Sequence, residues 1–125
     1  MITIDLESAT PLFKQLIVQI KLAIDKSLLA PGDALPSIRQ LASDLDVNAK
    51  TVAKAYRLLE RDRILESKGA KGSFVRTDAL DHLAFDIQQW LISELISDID
   101  KYRLAGATDS EIRNTFSQVI SKLGN

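Results

Sequence analysis

Val52, Ala55, Tyr56 and Leu59 recur at i, i+3, i+4 and i+7, the spacing of one helical face. No Gly or Pro interrupts Ala49 to Asp62, so the pattern predicts a helix over residues 49–62. Asp46-Val47-Asn48 reads as a turn, and Asn48 suits an N-cap because its side-chain oxygen accepts an orphan backbone N–H. Ile38, Leu41, Ala42 and Leu45 carry the same period just upstream, behind Ser37 and Gln40, a capping-box pair. That helix should end near Asp44 to Asp46. Two helices joined this closely form a helix-turn-helix. Thr10-Pro11 signals an earlier helix start, with Thr as N-cap and Pro at the first helical position. Leu12, Leu16, Ile20 and Ala23/Ile24 follow, with Phe13, Ile17 and Leu28 beside them. This helix should pack under the pair and stop by Pro31-Gly32. Ile2 and Ile4 suit an extended arm.

After residue 62 the period changes. Ile64–Ser67 and Ser73–Arg76 read as short strands around a loop, Lys68 to Gly72, which predicts a hairpin. Gly69 and Gly72 let that loop take positive φ and approach another surface closely. Ala34-Leu35 fits a very short strand pairing with the hairpin.

From Asp78 to Leu104 the helical period returns without Gly or Pro, through Leu80, Leu83, Ala84, Ile87, Trp90, Leu91, Leu95, Ile99 and Tyr102. Phe85, Ile92 and Ile96 widen this face beyond what one neighbouring helix needs. Gly106 breaks the run. Thr108 and Glu111 form another capping box, opening a helix with Ile112, Phe116, Val119, Ile120 and Leu123 on one face. Two such helices make a thin layer, so they are expected to pair with the same region of a second chain across an isologous C2 interface. Leu83, Ile87, Trp90, Leu91, Leu95, Ile99, Tyr102, Phe116 and Ile120 are the expected interface residues. The alternative is a monomer in which both helices fold back on residues 10–30. The expected fold is mostly α with a small β-hairpin: a winged helix-turn-helix domain over residues 1–77 and a C-terminal two-helix dimerisation segment over 78–125.

Charge sharpens this picture. The net charge of the 125-residue chain is −1, which does not advertise nucleic-acid binding. Residues 1–76, however, hold twelve Lys/Arg against nine Asp/Glu, a net +3, and residues 77–125 hold four against eight, a net −4. Phosphates respond to local charge within a Debye length of roughly 8 Å. Lys50, Lys54, Arg57 and Arg61 fall in one line along the 49–62 helix, bordered by Thr51. Like charges at i, i+4 repel, a cost that an anionic partner removes, although a solvated surface face is the usual meaning of such a run. In a helix-turn-helix the N-terminal residues of the second helix reach base edges in the major groove, here Asn48, Ala49, Lys50 and Thr51. Lys68 and Lys71 make the hairpin tip basic.

The residues Pro11-Leu12-Phe13, Gln15, Pro31-Gly32-Asp33, Leu35-Pro36-Ser37, Arg39, Leu41-Ala42, Val47-Asn48, Thr51-Val52, Ala55-Tyr56, Leu59-Glu60, Ile64 and Gly72 with Phe74-Val75 together resemble the N-terminal domain of GntR-family transcription regulators. The short tail is most similar to the YtrA-like branch, which lacks large effector domains. The resemblance covers residues 10–76. It implies DNA contacts at Arg39, the start of the 49–62 helix and the wing glycine Gly72, and it implies repression by promoter occlusion. The chain departs from the family pattern at Asp46 and Arg63, where Gly is common, and at Ala70, the first Gly of the usual wing motif.

Other chemistries find little support. There is no Cys, and the single His82 stands beside Asp81 at a helix head, a structural or capping position. No phosphate-loop, nucleophile-elbow, dinucleotide or zinc-protease motif occurs, so neither catalysis nor any cofactor or metal is expected. No run is long enough to span a bilayer, and a cytoplasmic protein is the expectation. The expected function is a sequence-specific repressor that binds a palindromic double-stranded DNA operator as a homodimer. Its contact residues would be Ser37, Arg39, Asn48, Ala49, Lys50, Thr51, Lys54, Arg57, Arg61, Lys68, Gly69, Lys71 and Gly72. The rival is a winged-helix adaptor whose basic face binds an acidic protein. A small-molecule effector would find room only at the dimer interface around Trp90 and Tyr102, and none is identified.

Overall fold

The computed structural model describes residues 2–124, without the side chains of residues 85 and 86. Helix α1 spans Leu12–Asp25, α2 Ile38–Leu45 and α3 Ala49–Arg61. A hairpin of β1, Leu65–Ser67, and β2, Ser73–Val75, follows through a 3-10 turn at Gly69–Lys71. Helix α4 spans Ala79–Leu104 and α5 Asp109–Leu123. This is a winged helix-turn-helix followed by C-terminal helices.

The hydrophobic period decides which faces turn inward. Leu16, Ile20, Ala23 and Ile24 of α1, Leu41 and Ala42 of α2, and Val52, Ala55, Tyr56 and Leu59 of α3 are buried in one core. Leu35, Ile64, Leu65 and Val75 close it, and Ile2 and Ile4 of the N-terminal arm pack against it. The α2–α3 turn needs a left-handed residue, and Asp46 supplies it at φ 54°. Arg63 does the same after α3 at φ 64°. Two positions where the family pattern favours Gly thus keep glycine-like backbone geometry, at the steric cost of a side chain in that region.

The hairpin is antiparallel, with Leu65 opposite Val75 and Ser67 opposite Ser73. The expected third strand is a single bridge, Ala34 to Phe74. Flanking bonds from Leu35 N–H to Ser73 O and from Val75 N–H to Asp33 O, both 2.8 Å, extend it.

Several local expectations change. Pro11, not Thr10, occupies the N-cap position of α1, and no side chain caps that end. The Thr10 carbonyl instead accepts from Gln15 Nε2 at 2.8 Å. Helix α1 ends at Asp25, short of Pro31, and Ser27 turns left-handed at φ 62°. That turn leaves Leu28 exposed and buries Leu29. Only half of the Ser37–Gln40 capping box forms. Ser37 Oγ accepts from Gln40 N–H at 3.0 Å, but the Gln40 amide donates to Asp44 at 2.7 Å. The Thr108–Glu111 box is complete.

Internal contacts divide the chain into two compact units, Met1–Ile87 and Gln88–Asn125. That division falls ten residues beyond the boundary expected at 77/78. Ala79 and Leu83 are buried in the first unit's core, with Ile87 packed against it. Phe85, expected to widen the α4 face, lies outside the described residues. In the second unit, a bidentate pair from Arg103 to Asp109, at 2.8 and 3.0 Å, braces the turn between α4 and α5. No helix among the described residues is long and apolar enough to cross a membrane.

Candidate nucleic-acid interface

Burial of Val52, Ala55, Tyr56 and Leu59 fixes the rotation of α3. At 100° per residue, Lys50, Lys54, Arg57 and Arg61 then lie opposite the buried face, and all four are exposed. Thr51 is half-buried at the edge of this stripe. The helix start is closed by Asn48 Oδ1, which accepts the Lys50 N–H at 2.8 Å. That bond occupies the Asn48 side-chain oxygen and leaves its amide N–H groups exposed to solvent.

The stripe is not electrically uniform. Arg61 Nε lies 3.1 Å from Asp62, so part of its charge is compensated. Lys50, Lys54, Arg57 and Arg39 have no carboxylate partner among the described residues. On the wing, Lys68 Nζ lies 3.5 Å from Glu66 and 4.7 Å from the centre of the Phe74 ring. Lys71 is exposed without such a partner. The wing turn is closed by Lys68 N–H to Gly72 O at 2.8 Å and Gly72 N–H to Gly69 O at 3.0 Å. Gly72 sits at φ 100°, a conformation that a side chain would strain.

Tyr56 links α3 to the start of α2. Its hydroxyl donates to the Pro36 carbonyl at 2.7 Å, one residue before the Ser37 N-cap. Burial pushes its pKa up to about 12, so it stays a protonated donor at neutral pH. This bond sets Ser37 and Arg39 at a fixed place relative to the α3 stripe. Sequence periodicity marks Tyr56 only as a core residue, and nothing in it reveals the hydroxyl's partner. Periodicity likewise marks Phe13 only as an apolar residue beside the α1 face, and does not reveal that its ring carries Lys54 Nζ at 3.9 Å.

The single histidine joins a structural cluster. Arg76 grips Asp78 through two bonds of 2.9 and 3.2 Å. His82 Nε2 lies 3.4 Å from the same carboxylate. The Arg76 hydrogen bond, aided by His82, holds the Asp78 carboxyl well below the usual range. His82 thus pairs one turn back with Asp78 rather than with its neighbour Asp81.

The expected dimer residues separate into two groups. Leu83 is 1% exposed within the first unit and is spent on that core, and Ile87 packs against the same core. Leu83 therefore offers no free surface to a second chain, whereas Ile87 stays partly exposed. In the second unit Leu95, Ile99, Tyr102, Ile112 and Phe116 line one open groove of about 360 Å³ between α4 and α5. Trp90, Leu91 and Ile120 are exposed, at 38%, 45% and 52%. Ile92, Ile96, Val119 and Leu123 are exposed as well.

The sequence profile of the bacterial regulatory proteins, gntR family, matches residues 12–75. The chain is 43% identical over 79 residues to the HTH-type transcriptional repressor YtrA of Bacillus subtilis, covering 63% of this chain and 61% of that protein. It is 43% identical over 79 residues to the HTH-type transcriptional regulator Rv1152 of Mycobacterium tuberculosis, covering 62% of this chain and 65% of that protein. The matched region thus spans under two thirds of the length of each of these two relatives. Among solved structures, a GntR family transcriptional regulator from Listeria monocytogenes superposes with a TM-score of 0.68 at 28% identity, over 90% of this chain and 97% of that one. YtrA from Sulfolobus acidocaldarius, a GntR-family transcription factor, superposes with a TM-score of 0.59 at 40% identity, over 74% of this chain and 97% of that one.

Proposed function

Because the chain belongs to the gntR family of bacterial regulatory proteins, we propose that it binds double-stranded DNA as a homodimer and represses transcription at a palindromic operator. The observation that carries this reading is the uncompensated stripe of Lys50, Lys54 and Arg57 opposite the buried face of α3. Arg39, exposed on α2, and the wing with Lys68, Gly69, Lys71 and Gly72 add further basic positions to the same unit.

In this reading α3 enters the major groove. Asn48, Ala49, Lys50 and Thr51 lie nearest the base edges, while Lys54 and Arg57 neutralise phosphates. Arg61 contributes less, because Asp62 already holds it. Ser37 and Arg39 meet the backbone or a guanine, and the wing approaches phosphate or the minor groove. Two such surfaces related by a two-fold axis fit half-sites about 34 Å apart.

Support for the dimer comes from the second unit. None of its described residues is buried, yet it exposes Trp90, Leu91, Ile96, Phe116 and Ile120. Apolar surface on this scale marks an interaction site, and a second copy presents the matching surface. Repression agrees with the similarity to the HTH-type transcriptional repressor YtrA of Bacillus subtilis.

The test is selection of bound duplexes from a random-sequence pool, followed by salt titration of variants. Arg57→Ala is expected to weaken selected and scrambled duplexes alike and to flatten the salt slope by about one unit. Thr51→Ala is expected to change base preference at one position of each half-site and leave the slope unchanged. A pool that enriches no sequence, or variants that move neither quantity, would overturn the assignment.

A further inference from the structure

Among the cations on the α3 stripe, Lys54 has a distinctive setting. Its ammonium lies 3.9 Å from the centre of the Phe13 ring. Phe13 stands in the first turn of α1, half-buried against the core. That turn is fixed in place by Gln15. Its Nε2 donates to the carbonyls of Asp5 and Thr10 at 3.0 and 2.8 Å, and its Oε1 accepts the Asp5 N–H at 2.7 Å. The ring therefore stands on a hydrogen-bonded turn at the flank of α3, a helix distant from it in sequence.

A ring and a carboxylate hold an ammonium in different ways. A carboxylate, such as Asp62 beside Arg61 or Glu66 beside Lys68, positions a cation and cancels its charge. An aromatic face attracts the cation through its quadrupole. It fixes the side chain while leaving the net charge whole and N–H donors free for an outside oxygen. Lysine is otherwise a flexible stem that loses much rotamer freedom when its head is pinned to a phosphate. A lysine already docked on a ring has lost part of that freedom before DNA arrives.

We infer that Phe13 is a positioning residue for DNA binding, holding the Lys54 ammonium in place for a backbone phosphate without neutralising it. The inference rests on the DNA-binding reading of the α3 face. It extends the functional surface to α1, where none of the expected contact residues lies.

The experiment is a double-mutant cycle read by salt titration on the duplex enriched from a random pool, with thermal melts to confirm folding. Phe13→Leu keeps an apolar side chain but removes the ring. It is expected to raise Kd about two- to fivefold, because the rotamer freedom that the ring removes beforehand would then be lost on binding. The salt slope should stay the same, because the number of phosphates met is unchanged. Lys54→Ala should reduce the slope by about 0.9. In the Lys54→Ala background, Phe13→Leu should have no further effect, and Phe13→Tyr should keep wild-type affinity. Wild-type affinity for Phe13→Leu would overturn the inference. So would the same loss with and without Lys54, which is what a purely structural role predicts. Failure of the DNA reading itself would be visible earlier, as an unsubstituted protein that prefers no duplex.

Discussion

The two units of this chain use similar amphipathic helices in opposite ways. In residues 2–87, three helices, a hairpin and the start of α4 enclose seventeen buried side chains, Leu16, Tyr56 and Leu59 among them. In residues 88–124, the rest of α4 and all of α5 enclose none. Leu95, Ile99 and Ile112 reach only partial burial against one another. The turn between its helices is nevertheless well closed, by the Thr108–Glu111 box, the Arg103–Asp109 pair and Gly106. The second unit is closed locally at its turn but leaves its apolar faces uncovered. Local hydrogen bonds close its helix ends, but two helices have no third layer against which to exclude water.

The largest expected effect lies in the first unit. Leu59→Ala removes a side chain with no exposure, beside Val52 and Ala55. It should cost about 2–5 kcal/mol, seen as a fall in the denaturant midpoint with little change in slope. A loss below 1 kcal/mol would mean that the core around α3 is looser than its burial implies.

Next is the second unit's surface. Phe116→Glu with Ile120→Glu places charge on exposed apolar positions and should convert the proposed dimer to a monomer in sedimentation. Operator affinity should then fall about 100-fold through lost bivalency, while the first unit keeps its fold. The wild-type melting temperature should rise with protein concentration, and that of the double variant should not. A wild-type protein that sediments as a monomer would remove the contrast between the units.

The smallest effect is a response to acid. Hydrogen bonds and charge from Arg103 hold the Asp109 carboxyl below its ordinary range, and Thr108 does the same for Glu111. A carboxyl whose folded value is depressed stabilises the fold above its unfolded pKa of about 4, and the contribution is lost as pH falls through the folded value. The α5 helix should therefore loosen below about pH 4, seen as reduced far-UV circular dichroism. Asp109→Asn should flatten that acid response. An unchanged acid limb in this variant would show that the Arg103 pair contributes nothing to holding the turn.

Much of the first unit is legible in its sequence. The period of Val52, Ala55, Tyr56 and Leu59 located α3 and put Lys50, Lys54, Arg57 and Arg61 on its outer face. Asn48 and Thr108 were recognisable caps because capping is a contact between residues two or three apart. Sequence and structure part where two local options compete. Gln40 could return to the Ser37 backbone or reach Asp44, and it reaches Asp44. Thr10 lost the capping role because the chain enters α1 through Pro11 in an extended conformation.

Helix positions, the Asn48 and Thr108 caps, the hairpin and the inward faces of α1 to α3 are written in the sequence, because these depend on spacing within a few residues. The tertiary structure decided what each face meets. It assigned Leu83 to the first unit's core and set the Tyr56 hydroxyl on the Pro36 carbonyl. It also brought Phe13 beneath Lys54, forty-one positions away in sequence. A helical period records that a side chain is turned from water; it holds no record of the partner, which is fixed only when distant segments pack together.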